Sequence, residues 1–229
     1  MNNESFKHKS LSSIVVEYIR SKILSGEYKE GDHILEAEVA KELGTSRAPV
    51  REGIKELENQ GLIKTIPRKG NYVVKLTMDD VKEVFDIRLL LENSVLEILI
   101  NDNKLTEDDF QELERIIDDM IAISQEEKDE IHKILGINKK DMEFHKFLWQ
   151  KSGSARRFKI LSDLYSQLQM AMVIDTKLTG SLIKTAKDHY NIIKYLREKD
   201  LENCKKALKE HIVIYKDEAQ AKRLQNPPA

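Results

Sequence analysis

The first 76 residues carry three stretches of helical hydrophobic period and then an alternating one. Residues 11–25, LSSIVVEYIRSKILS, place Ile14, Tyr18 or Ile19, and Ile23 near helical spacing, with Gly26 as a stop signal, which predicts a first helix. After the turn EYKEGD, Val39, Ala40 and Leu43 share one face of a short helix over 36–43, closed by Gly44. A third helix is predicted for RAPVREGIKELENQ, where Val50, Ile54 and Leu57 recur at i, i+4 and i+7. Thr45 or Ser46 is its expected cap, and Pro49 fits because the first turn has no intrahelical use for its missing N–H. Past Gly61 the pattern alternates or runs apolar: Leu62, Ile63, Ile66, then Tyr72, Val73, Val74, around Pro67, Arg68, Lys69 and Gly70. This predicts a two-stranded hairpin with a basic tip.

No strand signal follows residue 78. Helical periods are expected near 79–101, 106–125, 138–152, 155–177, 180–198 and 201–223, with SQEEKDEIHK as a charged connection and QNPPA as a frayed tail. The expected fold is mainly α. A winged helix-turn-helix occupies 1–76, and an all-helical bundle of about six helices occupies 77–229.

Composition narrows the compartment more than the function. The 229 residues are 40% hydrophobic and 34% charged, and only 9 Gly and 4 Pro argue against a loop-rich β fold. The single cysteine, Cys204, excludes an intramolecular disulfide framework and a four-cysteine zinc site, so a reducing cytoplasm is the expected location. MNNESFKHKS lacks the apolar stretch of a signal peptide, and no run reaches the roughly 18 apolar residues of a membrane anchor. The net charge of −2 hides a weak asymmetry: residues 1–76 hold 13 Lys and Arg against 11 Asp and Glu. So small an excess does not establish nucleic-acid binding; placement of the charges decides.

Placement points to DNA. Two short helices joined by Gly44, Thr45 and Ser46, followed by a basic hairpin, have the proportions of a winged helix-turn-helix. Arg47 and Arg51, at i and i+4, share the face opposite Val50, Ile54 and Leu57. Either arginine could take a guanine O6/N7 edge or clamp a phosphate. Thr45 and Ser46, beside the exposed N–H groups of the first turn, suit the phosphate backbone, and Arg68 and Lys69 suit an adjacent groove or strand. The plainer alternative pairs Arg47 and Arg51 with Glu52, Glu58 or solvent on an ordinary surface helix.

A second constellation lies in the helical half. Asp141 and His145 are i and i+4 on one helix, so both side chains could converge on a cation. If the last two helices turn at Asp200, an acceptable N-cap, His189 and His211 each lie 11 residues from the turn, and antiparallel packing levels them. Three imidazoles and a carboxylate suit a divalent transition metal, Zn, Ni, Mn or Fe, without ranking these ions. Arg88 falls on the apolar stripe of Val81, Phe85 and Val95, where a charge needs a partner. That partner is either Glu92 at i+4 or the carboxylate of a small organic acid that also completes the metal's open positions.

Residues 11–74 resemble the DNA-binding domain of the GntR family of bacterial transcription regulators. The resemblance is carried by IRSKILSGEY at 19–28, GDHILE at 31–36, LGTSRAPVRE at 43–52, LENQGLI at 57–63 and PRKGNYVV at 67–74. It implies that Arg47 and Arg51 contact operator DNA, that Arg68, Lys69 and Gly70 form the wing in the minor groove, and that Glu36 begins the helix crossing the backbone. Family members often carry an arginine just after that glutamate, where this chain has Ala37. Residues 79–223 resemble the FadR-type ligand-binding (FCD) domain, in its six-helix VanR-like branch. Here DMEFH at 141–145, with His189 and His211, matches a motif that often holds a metal. Ser154 departs from an asparagine common in relatives.

The expected function is therefore a cytoplasmic, homodimeric transcription repressor, not an enzyme. It would bind palindromic double-stranded operator DNA and release it when a small carboxylate effector binds at the metal and Arg88. The alternatives are a metal-dependent enzyme with an accessory DNA-binding domain, which lacks a clear general base, and a regulator whose metal is purely structural.

Overall fold

The computed structural model describes residues 10–75, 77–165, 167–170, 172 and 181–212. The chain divides into two compact units, Met1–Lys75 and Leu76–Ala229.

In the first unit α1 (Leu11–Ser25) starts where the Ser10 hydroxyl accepts from the Ser13 N–H and ends at Gly26 in the left-handed region. The helices α2 (Glu36–Glu42) and α3 (Arg47–Asn59) follow the predicted bounds closely. Ser46 occupies the N-cap position of α3 but makes no side-chain capping bond. Val15, Ile19, Val39, Val50, Ile54 and Leu57 close the core between the three helices.

The hairpin forms from β2 (Ile63–Ile66) and β3 (Gly70–Val73), antiparallel with Ile63 opposite Val73. A strand without a sequence signal joins it. β1 (His33–Ile34) pairs with the other edge of β3, giving the order β1-β3-β2. Two residues are too few to show a period, so only pairing with β3 defines this strand.

The described residues of the second unit form helices and their connecting turns, without a strand. Capping boxes at Thr77/Asp80 and Thr106/Asp109 start α4 (Met78–Asn101) and α5 (Glu107–Ser124). α6 (Glu130–Lys151) begins eight residues before its expected start, inside the segment read as a charged connection. Two features extend it. The Asp129 carboxylate accepts from the His132 N–H at 3.0 Å, and Ile134 and Ile137 are buried against α5. Gly136 weakens the helical pattern in the sequence, yet the packing uses it: a Cβ there would stand 3.0 Å from Ile123 of α5.

α7 (Ala155–Asp163) closes at Leu164, before further helical residues at 167–170, so the predicted single helix over 155–177 is interrupted. Its positions 173–177 lie outside the described residues. α8 (Leu182–Glu198) and α9 (Leu201–Ile212) form the expected antiparallel pair, turning through Lys199 at φ 56° and Asp200, which accepts from the Asn203 N–H. The predicted continuation of α9 to residue 223 also lies outside the described residues. Leu96, Leu113, Ile117, Ile137, Phe144, Trp149, Ile192 and Leu208 fill the centre of the bundle. No helix among the described residues is long and apolar enough to cross a membrane.

Candidate metal centre and nucleic-acid interface

Three helices bring four predicted ligands together. Asp141 and His145 come from α6, His189 from α8 and His211 from α9, and one ligand atom from each lies within 4.8 Å of all the others. All four are buried. The i, i+4 spacing on α6 and the turn at Asp200 produce the convergence, as the periodicity requires.

Hydrogen bonds behind the imidazoles fix which nitrogen faces inward. His189 Nδ1 lies 3.1 and 3.2 Å from the carbonyl oxygens of Thr185 and Ala186, which only accept, so Nδ1 carries the proton. Its Nε2 then presents a lone pair, 3.1 Å from Asp141 Oδ1, and has no hydrogen-bond partner. His145 Nδ1 donates to Glu92 Oε2 at 2.6 Å, which leaves a second Nε2 lone pair 3.3 Å from His211 Nε2. His211 Nε2 lies 3.0 Å from Asp141 Oδ1, and Asp141 Oδ2 has no hydrogen-bond partner. Lone pairs aimed at one another in a buried space are costly unless a cation lies between them. The donor set, two tautomers held from behind and an orphaned carboxylate oxygen, fits a divalent transition metal.

The electrostatics agree with this geometry. Burial works to raise the Asp141 carboxyl, but His145, His189 and His211 outweigh it and hold it well below the usual carboxylate range. Burial pushes His145 below its ordinary value, and burial together with His189 lowers His211 to about 4. Burial thus favours the neutral forms of His145 and His211, the forms in which an imidazole ligates a metal.

Arg88 and Glu92 complete the centre from α4. Arg88 Nε donates to Glu92 Oε1 at 2.6 Å, the pairing weighed against an effector role. Its Nη2 lies 3.5 Å from Asp141 Oδ2 without a hydrogen bond. Against the upward pull of burial, His145 and Arg88 lower Glu92 to about 2, so it stays ionised. Glu92 is the residue that sequence reasoning undervalued. Its i, i+4 spacing to Arg88 was visible, but its bond to His145 across 53 positions was not.

On the first unit, Ser46, Arg47, Arg51, Arg68 and Lys69 are all exposed, while Thr45 and Gly70 are half-buried. Arg51 pairs with neither Glu52 nor Glu58: its Nε donates to Glu36 Oε2 at 2.7 Å. Glu58 instead accepts from the Thr65 N–H. Arg47 has no ion pair among the described residues. At the hairpin tip the Lys69 N–H bonds to the Ile66 carbonyl and the Tyr72 hydroxyl to that of Lys69. Arg68 sits there at φ 64°, a conformation glycine favours. Gly70, at φ 110°, lies under the His33 ring, whose Nε2 would stand 2.2 Å from an added Cβ. His33 also stacks on Tyr72.

Comparisons with known proteins agree with both units. Residues 11–73 match the bacterial regulatory proteins of the gntR family, and residues 83–213 match the FCD domain. The HTH-type transcriptional regulator YdhC of Bacillus subtilis is 27% identical over 198 residues, 86% of this chain and 84% of its own length. The gluconate operon transcriptional repressor of the same organism is 35% identical over 124 residues, 53% of this chain and 50% of its own length. The solved structure of E. coli McbR/YncC shares the fold with a TM-score of 0.73 at 21% identity, covering 95% of this chain and 99% of that one. These families and relatives are transcription regulators, not enzymes, which sets aside the reading as a metal-dependent enzyme. A gntR-type winged helix-turn-helix followed by an FCD domain, the latter spanning more than half of the sequence, places this chain in the GntR family of bacterial transcription regulators.

Proposed function

We propose that this regulator is a cytoplasmic homodimeric repressor that leaves its operator when a small organic acid binds in the helical unit beside a divalent transition metal. One observation carries the effector half of the reading: the buried Asp141, His145, His189 and His211 cluster, with its orphaned Nε2 and Oδ2 atoms. These four residues would hold the metal, which supplies a fixed positive charge and open coordination positions for oxygen ligands. With neutral imidazoles, Arg88, Glu92 and Asp141 leave the centre one negative charge in excess. A divalent cation reverses the excess, and a carboxylate anion near Arg88 Nη2 then brings the buried site back to neutrality. Reading the domain as VanR-like rests on the six helices expected from the sequence, a count that the break at Leu164 does not support.

The operator half rests on α3 and the wing. Arg47 and Arg51 would reach base edges, Thr45 and Ser46 the phosphates, and Arg68, Lys69 and Gly70 the adjacent minor groove, with Glu36 at the start of the helix crossing the backbone. A two-fold dimer requires a palindromic site. An acid releases DNA only so far as it binds the DNA-free form more tightly.

The test measures full-length protein, loaded with Zn²⁺, Ni²⁺ or Mn²⁺, on duplexes selected from a randomised pool. Small carboxylates are then added, beginning with gluconate because one relative is named for a gluconate operon. The expected result is loss of DNA affinity with a carboxylate, abolished by Asp141→Ala. Release that persists in Asp141→Ala would sink the metal-site reading, whereas metal that raises the melting temperature with no carboxylate effect favours a purely structural ion.

A further inference from the structure

Arg51 is exposed, yet it is held. Its Nε donates to Glu36 Oε2 at 2.7 Å, linking the second turn of α3 to the first turn of α2, with 66% of the arginine side chain and 27% of the glutamate's open to solvent. An ion pair this wet adds little to stability. It does restrict the guanidinium. With Nε engaged, the two terminal nitrogens remain free, and a guanine O6/N7 edge takes two parallel N–H donors from one arginine. The carboxylate itself stands on packed backbone, since Val39 and Ala40 of α2 and Val50 and Ile54 of α3 are buried where these helices meet. A carboxylate is also a poor choice for a surface that merely attracts phosphates, because it repels them.

We infer that Glu36 is a positioning residue for sequence reading: it holds the Arg51 guanidinium with both terminal nitrogens presented to an operator guanine and keeps it from settling on phosphates. The inference rests on the reading of α3 as the helix that contacts bases, and it gives Glu36 a part separate from crossing the backbone. Arg47, without an ion pair among the described residues, is left to contact the duplex unaided.

The experiment takes full-length wild type, Glu36→Gln, Glu36→Asp and Arg51→Ala through selection from a randomised duplex pool. Each protein is then titrated with the selected duplex, with single base-pair variants of it and with mixed-sequence duplex at several salt concentrations. Both Glu36 variants should lose preference at the base pair that Arg51→Ala also loses, by on the order of tenfold. Glu36→Gln, having shed a negative charge, should bind mixed-sequence DNA more tightly than wild type. Glu36→Asp keeps the charge and the favourable helix N-terminus but not the reach, so it should lose the preference without that gain. Wild-type preference in Glu36→Gln, with loss in Arg51→Ala, overturns the role of Glu36. Intact preference in Arg51→Ala, or no enrichment by wild type, overturns the underlying reading and the inference with it.

Discussion

Glu92 Oε2 and His145 Nδ1 are 2.6 Å apart in the fold although 53 residues separate them in the chain. The same carboxylate accepts a hydrogen bond from Arg88 Nε through its other oxygen, so α4 orients a candidate ligand of α6 and neutralises a buried arginine at once. A carboxylate behind a histidine fixes the tautomer and raises the basicity of the nitrogen that faces a metal.

Glu92→Gln should therefore fail in two separable ways. Arg88 loses its hydrogen-bonded counter-ion and keeps only the Asp141 carboxylate at 3.5 Å, at a cost of up to about 3–5 kcal/mol of stability. Zn²⁺ affinity should fall by about 10–100-fold. In the double variant Arg88→Met, Glu92→Gln the stability should return while the weak metal binding remains. Urea melts read the first effect. Zn²⁺ titration followed by Trp149, the single tryptophan, on the same helix as His145, reads the second. Wild-type Zn²⁺ affinity in the double variant would refute the orienting role.

Protein purified without chelators should carry about one transition-metal ion per chain, and His189→Ala and His211→Ala should carry none. Metal at a thousandfold excess over its Kd should stabilise the fold by about 4 kcal/mol. Elemental analysis and thermal melts with and without chelator check both figures. A wild type that takes up no Zn²⁺, Ni²⁺ or Mn²⁺ when these are added would leave the cluster as a polar core.

The metal-free protein should lose stability as pH falls. His211 titrates near 4 when folded against an ordinary 6.5, so between these values the unfolded chain binds more protons and acid favours unfolding. Glu92, lowered to about 2 from 4.5, extends the same trend below pH 4.5. Melting temperatures of chelator-treated protein should therefore be level above pH 6.5 and decline toward pH 4. A flat profile across that window would contradict the burial of His211 as a neutral imidazole.

The wing offers two substitutions of opposite sign. Gly70→Ala meets both a positive φ and the His33 ring, and should cost about 1–3 kcal/mol. Arg68→Gly relieves a left-handed arginine worth about 1–2 kcal/mol, so it should stabilise the unit while weakening DNA binding. Melts and anisotropy on selected duplex separate the two readouts. An Arg68→Gly variant that binds DNA like wild type would remove that side chain from the interface.

Much of the fold was legible because its causes are local. The buried faces of α1, α2 and α3, the turn at Asp200 and the β2–β3 hairpin follow from residues a few positions apart, and so does the placing of Asp141 and His145 on one side of α6. For His189 and His211, equal distance from a turn was enough, since antiparallel helices of equal rise bring such positions level.

The remainder depended on contacts between segments distant in the chain. β1 exists only because β3 offers a free edge, and the early turns of α6 pack because Gly136 lets them approach Ile123 of α5. Glu92 became part of the centre through one bond to another helix, and Arg51 acquired a partner on α2 rather than on its own helix. The sequence by itself determined which side chains share a helix face, because that is set by the helical repeat. Only the tertiary structure decided which faces meet and at what distance, because hydrogen bonds and ion pairs form over about 3 Å and no periodicity records the partner.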